Sequence, residues 1–141
     1  MDHIARLVRV VEAVDAVVSS RPSKAVRLME EISTFSSTEE MYGVCRLLAE
    51  MGRQLLVQIH DPASGQPWEM KEPEPHGRCH PAHVFSVRFI TAYANDQDEQ
   101  CKALFAVLLD AEPQEFTDGI MALLVDIGDL SCRVLQQRPS S

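Results

Sequence analysis

The side chains best suited to chemistry fall within eight positions, His76-Gly77-Arg78-Cys79-His80-Pro81-Ala82-His83. Imidazole and thiolate are ligands for Zn²⁺, and a loop entering a helix lets several of them converge. A zinc ion held by His76, Cys79, His80 and His83 is therefore one reading; His60 lies just before the Pro-rich segment, 61–82, that contains most of this stretch. The pattern departs from the usual zinc motifs. It contains no Cys-x-x-Cys, and the adjacent Cys79 and His80 tend to point apart. The same residues also have a structural reading, with His80 capping a helix and Pro81 at its first position, where a missing N–H costs nothing.

Other catalytic patterns are absent. The chain has no Gly-x-Ser-x-Gly, no phosphate-binding glycine-rich loop and no His-Glu-x-x-His. The paired acids Glu30-Glu31 and Glu39-Glu40 are neighbours in sequence, and neighbouring helical residues face different directions. No Glu-x-x-His occurs, which argues against a di-iron bundle. A non-enzymatic protein is expected.

Charge narrows the partners. The chain has 21 acidic and 13 basic residues, a net charge of −8. The whole excess lies between residues 95 and 129, in Asp96, Asp98, Glu99, Asp110, Glu112, Glu115, Asp118, Asp126 and Asp129, against Lys102 alone. Such a segment repels a phosphate backbone, so direct nucleic-acid binding is not expected. It reads as a solvated face, or as a surface offered to a basic protein, with Asp96, Asp98, Asp110 and Glu112 as contacts. Trp68, the single tryptophan, reads as a partner anchor or as a side chain pinning its loop to the bundle.

These residues must be positioned by helices. Hydrophobic residues make up 45% of the 141-residue chain but aromatics only 6%, so aliphatic side chains fill the core. That palette favours helix over a β-sandwich. No stretch is long and apolar enough to span a membrane and no signal peptide is visible, so a cytoplasmic protein is expected. The four cysteines are expected to be free thiols.

The apolar periodicity predicts six helices. The first covers about 2–18, with Ile4, Leu7, Val11, Val14 and Val18 as its inward stripe, widened by Val8, Val10 and Val17. The second covers about 22–32, with Ala25, Leu28, Met29 and Ile32 inward. Ser36 or Ser37 with Glu39 or Glu40 reads as a capping box opening the third, which runs to about 59. Its stripe is Met41, Val44, Leu48, Met51 and Leu55. Five prolines and two glycines between 61 and 82 argue for a long loop. The fourth helix covers about 81–94, the fifth about 97–109 and the sixth 113–137. The sixth has the cleanest stripe: Phe116, Ile120, Leu123, Ile127, Leu130 and Val134.

The third and sixth helices also resemble each other. Residues 43–52 match residues 119–128 position by position except Arg46 against Ala122, an offset of 76. The same offset places Leu28-Met29 on Leu104-Phe105, and Val8, Val11 and Val14 on Val84, Val87 and Ile90. A single all-α domain is expected: a six-helix bundle of two pseudo-symmetric halves, 1–60 and 81–137, joined by a Pro/His-rich loop at 61–80. Gly43, Gly52, Gly119 and Gly128 are expected to mark close helix–helix approach, and the seam between halves to hold any groove. The apolar faces of the first and sixth helices point to a protein–protein interaction module, expected to self-associate as a homo-oligomer. The alternatives are an acidic regulator of a basic protein surface and a metal- or small-ligand-binding helical protein.

Overall fold

The computed structural model describes residues 1–59 and 80–137. Among them are six helices: α1 (His3–Val18), α2 (Pro22–Thr34), α3 (Thr38–Ile59), α4 (Pro81–Ala94), α5 (Asp98–Asp110) and α6 (Pro113–Gln137). No strand is present among the described residues. The all-α bundle expected from periodicity is the fold. Of the expected loop, Trp68, His76 and Cys79 lie outside the described residues.

Helix ends follow local chemistry. Asp2 caps α1 by accepting the Ala5 N–H at 2.7 Å. Ser37 and Glu40 form the capping box of α3: Glu40 N–H donates to Ser37 Oγ at 3.2 Å, and Ser37 N–H to Glu40 Oε1 at 2.9 Å. α1 and α4 end alike. Ser20 and Asp96 carry positive φ, 58° and 57°. Each donates to the carbonyl three residues back, Ser20 to Val17 at 3.1 Å and Asp96 to Tyr93 at 3.0 Å. The next residue reaches five back, Arg21 to Ala16 at 2.7 Å and Gln97 to Ala92 at 2.9 Å. Both are Schellman caps with a non-glycine residue in the left-handed position.

The core joins all six helices. α4 packs against α3, α5 and α6, whereas α1 packs against α2 and α6. Phe89, Ile32, Leu48, Ile90, Leu123, Leu124 and Ile127 are fully buried. Tyr42 of α3 stacks near Phe89 and Phe105, with ring centroids 6.3 and 5.1 Å away, and Phe105 meets Phe116 at 6.1 Å. These rings tie α3, α4, α5 and α6 together. The stripe of α2 is buried as expected. So is that of α6, apart from the half-buried Phe116. Cys45, Cys101 and Cys132 are free thiols. Burial pushes the Cys45 and Cys101 thiols up, so they behave as small apolar side chains.

α1 departs from expectation. Its core side consists of Arg6, Val10, Ala13, Val14 and Ala16, while Ile4, Val8 and Val11 are 72%, 46% and 56% exposed. α1 is apolar nearly all round, so hydrophobicity alone does not select a face. Small side chains do: Ala13 and Ala16 present little bulk to the core, and Gly128 of α6 leaves room for Val17.

Arg6 is the buried charge of this helix. It donates through Nε to Ser36 Oγ at 2.8 Å and through Nη2 to the Met1 carbonyl at 3.2 Å, and pairs with Glu40 at 2.7 Å. It thereby ties α1 to the start of α3.

Three of the four helical glycines mark close approach. A Cβ at Gly52 would stand 2.8 Å from Ile127 Cδ1, and one at Gly119 would stand 2.7 Å from Leu108 Cδ1. Gly43 is the exception: it is exposed, and a Cβ there would meet nothing within 4 Å.

Candidate interaction sites

The described members of the His/Cys cluster sit where α4 meets α6. His80 is the N-cap of α4, and its Nδ1 accepts the Ala82 N–H at 3.2 Å. In neutral imidazole only one nitrogen has a free lone pair. The cap uses that lone pair, so Nε2 carries the proton. It faces Asp118 Oδ2 of α6 at 3.7 Å, beyond hydrogen-bonding distance. In this conformation His80 is committed to the helix cap.

His83, one turn along, presents Nδ1 to Asp126 Oδ2 at 3.1 Å. Asp126 Oδ2 is buried, as is the hydroxyl of the fully buried Ser86, and neither has a well-aligned hydrogen bond. Burial therefore dominates and raises the Asp126 carboxyl above its ordinary range, against the lowering pull of Ser86 and His83. Two His–Asp pairs thus line the α4–α6 contact, but among the described residues no three His, Cys, Asp or Glu side chains converge to hold a metal.

The four acids proposed for a basic partner do not form one patch. Asp96 and Asp98 lie at the start of α5, while Asp110 and Glu112 lie at and beyond its end. A helix rises about 1.5 Å per residue, so the two pairs are separated by roughly 18 Å. Asp110 and Glu112 instead share the α5–α6 corner with Glu115 and Asp118, which sequence reasoning had counted only as charge.

That corner opens onto a cleft of about 770 Å³ between α4, α5 and α6. Val84, Phe85, Leu104 and Val107 line it together with Arg88, Glu115 and Asp118, and Asp118 Oδ1 accepts the Gln114 side-chain N–H at 2.8 Å. The cleft lies within residues 80–137. A much smaller depression, about 190 Å³, separates α2 from α6 at the expected seam. The signal for the cleft lay in α5, where Val107 is 72% exposed between the buried Cys101, Phe105 and Leu108.

A second open surface is the outward side of α1. Ile4, Val8 and Val11 are exposed along it, and Val18 is half-buried. Among the described residues no helix is long and apolar enough to cross a membrane.

Comparison with known proteins returned no matching family model, no matching curated protein and no matching solved structure.

Proposed function

We propose that this chain is a non-enzymatic protein–protein interaction module that self-associates through the outward face of α1. One observation carries the reading: on α1, Ile4, Val8 and Val11 stand exposed and Val18 half-buried at alternating spacings of four and three, with Asp15 in the one remaining position. That is the period of a two-helix seam. Scattered exposed apolar residues are ordinary on a monomer; a continuous row of this kind is not.

Asp15 sets the orientation. A parallel pair would place Asp15 against Asp15. An antiparallel pair crossing between Val8 and Val11 sets Asp15 beside Ile4 and His3 of the second copy, so the like charges separate. A single helix face is smaller than the ~800 Å² per partner of standard interfaces. Association is therefore expected to depend on concentration in the micromolar range.

Sedimentation velocity over a concentration series tests this. The wild-type chain should move from monomer to dimer, and Val8→Asp should remain monomeric with unchanged helix content. A wild-type chain that stays monomeric throughout would sink the proposal, as would a Val8→Asp chain that dimerises normally.

A further inference from the structure

The charges beside the outward face of α1 say which partner and which orientation that face selects; this step rests on the self-association proposed above. We infer that two copies are held in antiparallel register by symmetric ion pairs, Asp2 of each copy lying between Arg21 and Lys24 of the other.

The cations come first. Among the described residues, the side chains of Arg21 and Lys24 enter no ion pair or hydrogen bond, whereas Arg6, Arg9 and Arg53 are all paired. Arg21 is the N-cap of α2 and Lys24 lies in its first turn, and this helix start has no side-chain cap. It is the positive end of the helix dipole, where cations are disfavoured. Their placement therefore does nothing for α2 itself. Arg27, one turn on, is unpaired as well and adds to the same positive field.

Register then supplies the acid. Arg9 of α1 pairs with Glu31 of α2 at 3.2 Å. α2 runs back along α1, so counting from that pair, residue for residue, places Lys24 level with Ala16 and Arg21 level with Ser19. In the antiparallel seam Val8 of one copy stands opposite Val11 of the other, and Asp2 comes level with Val17. Asp2 thus falls between Lys24 and Arg21 of the second copy. It also lies on the correct side: it is seven residues before Arg9, on the side of α1 that α2 flanks. A twofold pair brings like sides together and makes the contact twice. Asp2 Oδ1 accepts the Ala5 N–H, and a carboxylate has acceptor sites to spare, so capping and pairing are compatible.

The remaining charges on that side are closed on themselves, with Arg9 3.2 Å from both Glu12 and Glu31. A parallel pair would set Arg21 against Arg21 and Asp2 against Asp2. The acid at one end of the apolar row and the bases at the other are complementary only to a second copy turned end for end.

Sedimentation velocity on sign-exchanged chains tests this. Asp2→Lys alone and Arg21→Glu/Lys24→Glu alone should each dimerise about tenfold more weakly than wild type, because like charges then meet twice. An equimolar mixture of the two should associate about as tightly as wild type, since every pair is again opposite in sign. Net charge does not produce that recovery: the two variants together carry nearly the charge of two wild-type copies. Arg21→Glu/Lys24→Glu should also melt at or above wild type, as acids suit a helix start. Should Asp2→Lys melt early for want of its cap, Asp2→Asn keeps a capping side chain; added to Arg21→Glu/Lys24→Glu it should restore association severalfold.

A wild-type dimer that Val8→Asp abolishes but that Arg21→Glu/Lys24→Glu leaves unchanged would overturn the ion pairs and leave the α1 seam standing. A mixture no tighter than its components, with no recovery from Asp2→Asn, would overturn the register in the same way. A wild-type chain that is monomeric throughout would instead remove the seam itself, and the ion pairs with it.

Discussion

Replacing Gly43 and Gly128 by alanine, each in its own variant, should move stability in opposite directions, although both lie inside long helices. Glycine inside a helix costs about 1 kcal/mol relative to alanine, so each substitution begins with a gain of that size. At Gly43 nothing opposes it, because the added Cβ meets no atom within 4 Å. At Gly128 the added Cβ overlaps a γ-carbon of Val17 and stands 2.9 Å from its Cβ. A Cβ is fixed to the backbone, so no rotamer change relieves that contact and α1 must move away from α6. Overpacking of this kind costs about 1–3 kcal/mol, and a forced helix displacement belongs at the upper end. The net expectation is about +1 kcal/mol for Gly43→Ala and about −1 to −2 kcal/mol for Gly128→Ala. For a domain of this size each kcal/mol is worth roughly 3–5 °C in Tm. Thermal melts followed by circular dichroism at fixed concentration should place the two variants roughly 6–15 °C apart. If Gly128→Ala melts at or above wild type, α1 does not cross α6 at Val17 and the packing described here is wrong.

Other perturbations test separate contacts. Arg6→Ala removes the bonds to Ser36, Met1 and Glu40 and the packing of a buried stem; urea denaturation should register a loss of about 2–3 kcal/mol, and an unchanged midpoint would contradict the tie. The Glu40 carboxyl is held below its ordinary range, first by the Ser37 N–H and also by Arg6. Its stabilising effect is therefore complete above the usual carboxylate pKa and is lost as pH falls through the lowered value. Glu40→Gln should flatten that acid limb. Asp126 has the opposite sign: its pKa is raised, so the ionised native form is disfavoured near neutrality and stability from this group grows as pH falls. Asp126→Asn should melt above wild type at pH 7, with the difference shrinking on acidification. A lower melting point at pH 7 would mean that the His83 contact outweighs burial.

Much of the fold was legible because the stripes of α2 and α6 have a single solution. There the apolar residues occupy one dominant side, so periodicity names the buried set; the α3 stripe is buried at Met41, Val44 and Leu48 but only half-buried at Met51 and Leu55. The capping box and the His80 cap were also readable, since both rest on local spacing. α1 was not readable in this way. Its cleanest stripe, Ile4-Val11-Val18, turns outward, and the inward choice depends on Ala13, Ala16 and the distant Gly128. Those are tertiary facts, invisible to a helical period. Gly43 failed for a related reason: it matches Gly119 in sequence, but Leu108 reaches Gly119 and no atom stands within 4 Å of a Cβ at Gly43. The cleft was hidden because its rim joins Glu115 and Asp118 of α6 to the end of α5, and only the fold turns an acidic run into one corner.

The offset of 76 residues also relates some element bounds. α2 spans Pro22–Thr34 and α5 spans Asp98–Asp110, the same interval shifted by that number, and the two positive-φ residues Ser20 and Asp96 obey it as well. What differs between the corresponding stretches is how surface is covered. On α1, Ile4, Val8 and Val11 are open; in register on α4 stand His80, Val84 and Val87, of which Val87 is buried and His80 and Val84 line the cleft. Between α1 and α2 the space is bridged by Arg9 and Glu31, whereas between α4 and α5 it is left apolar.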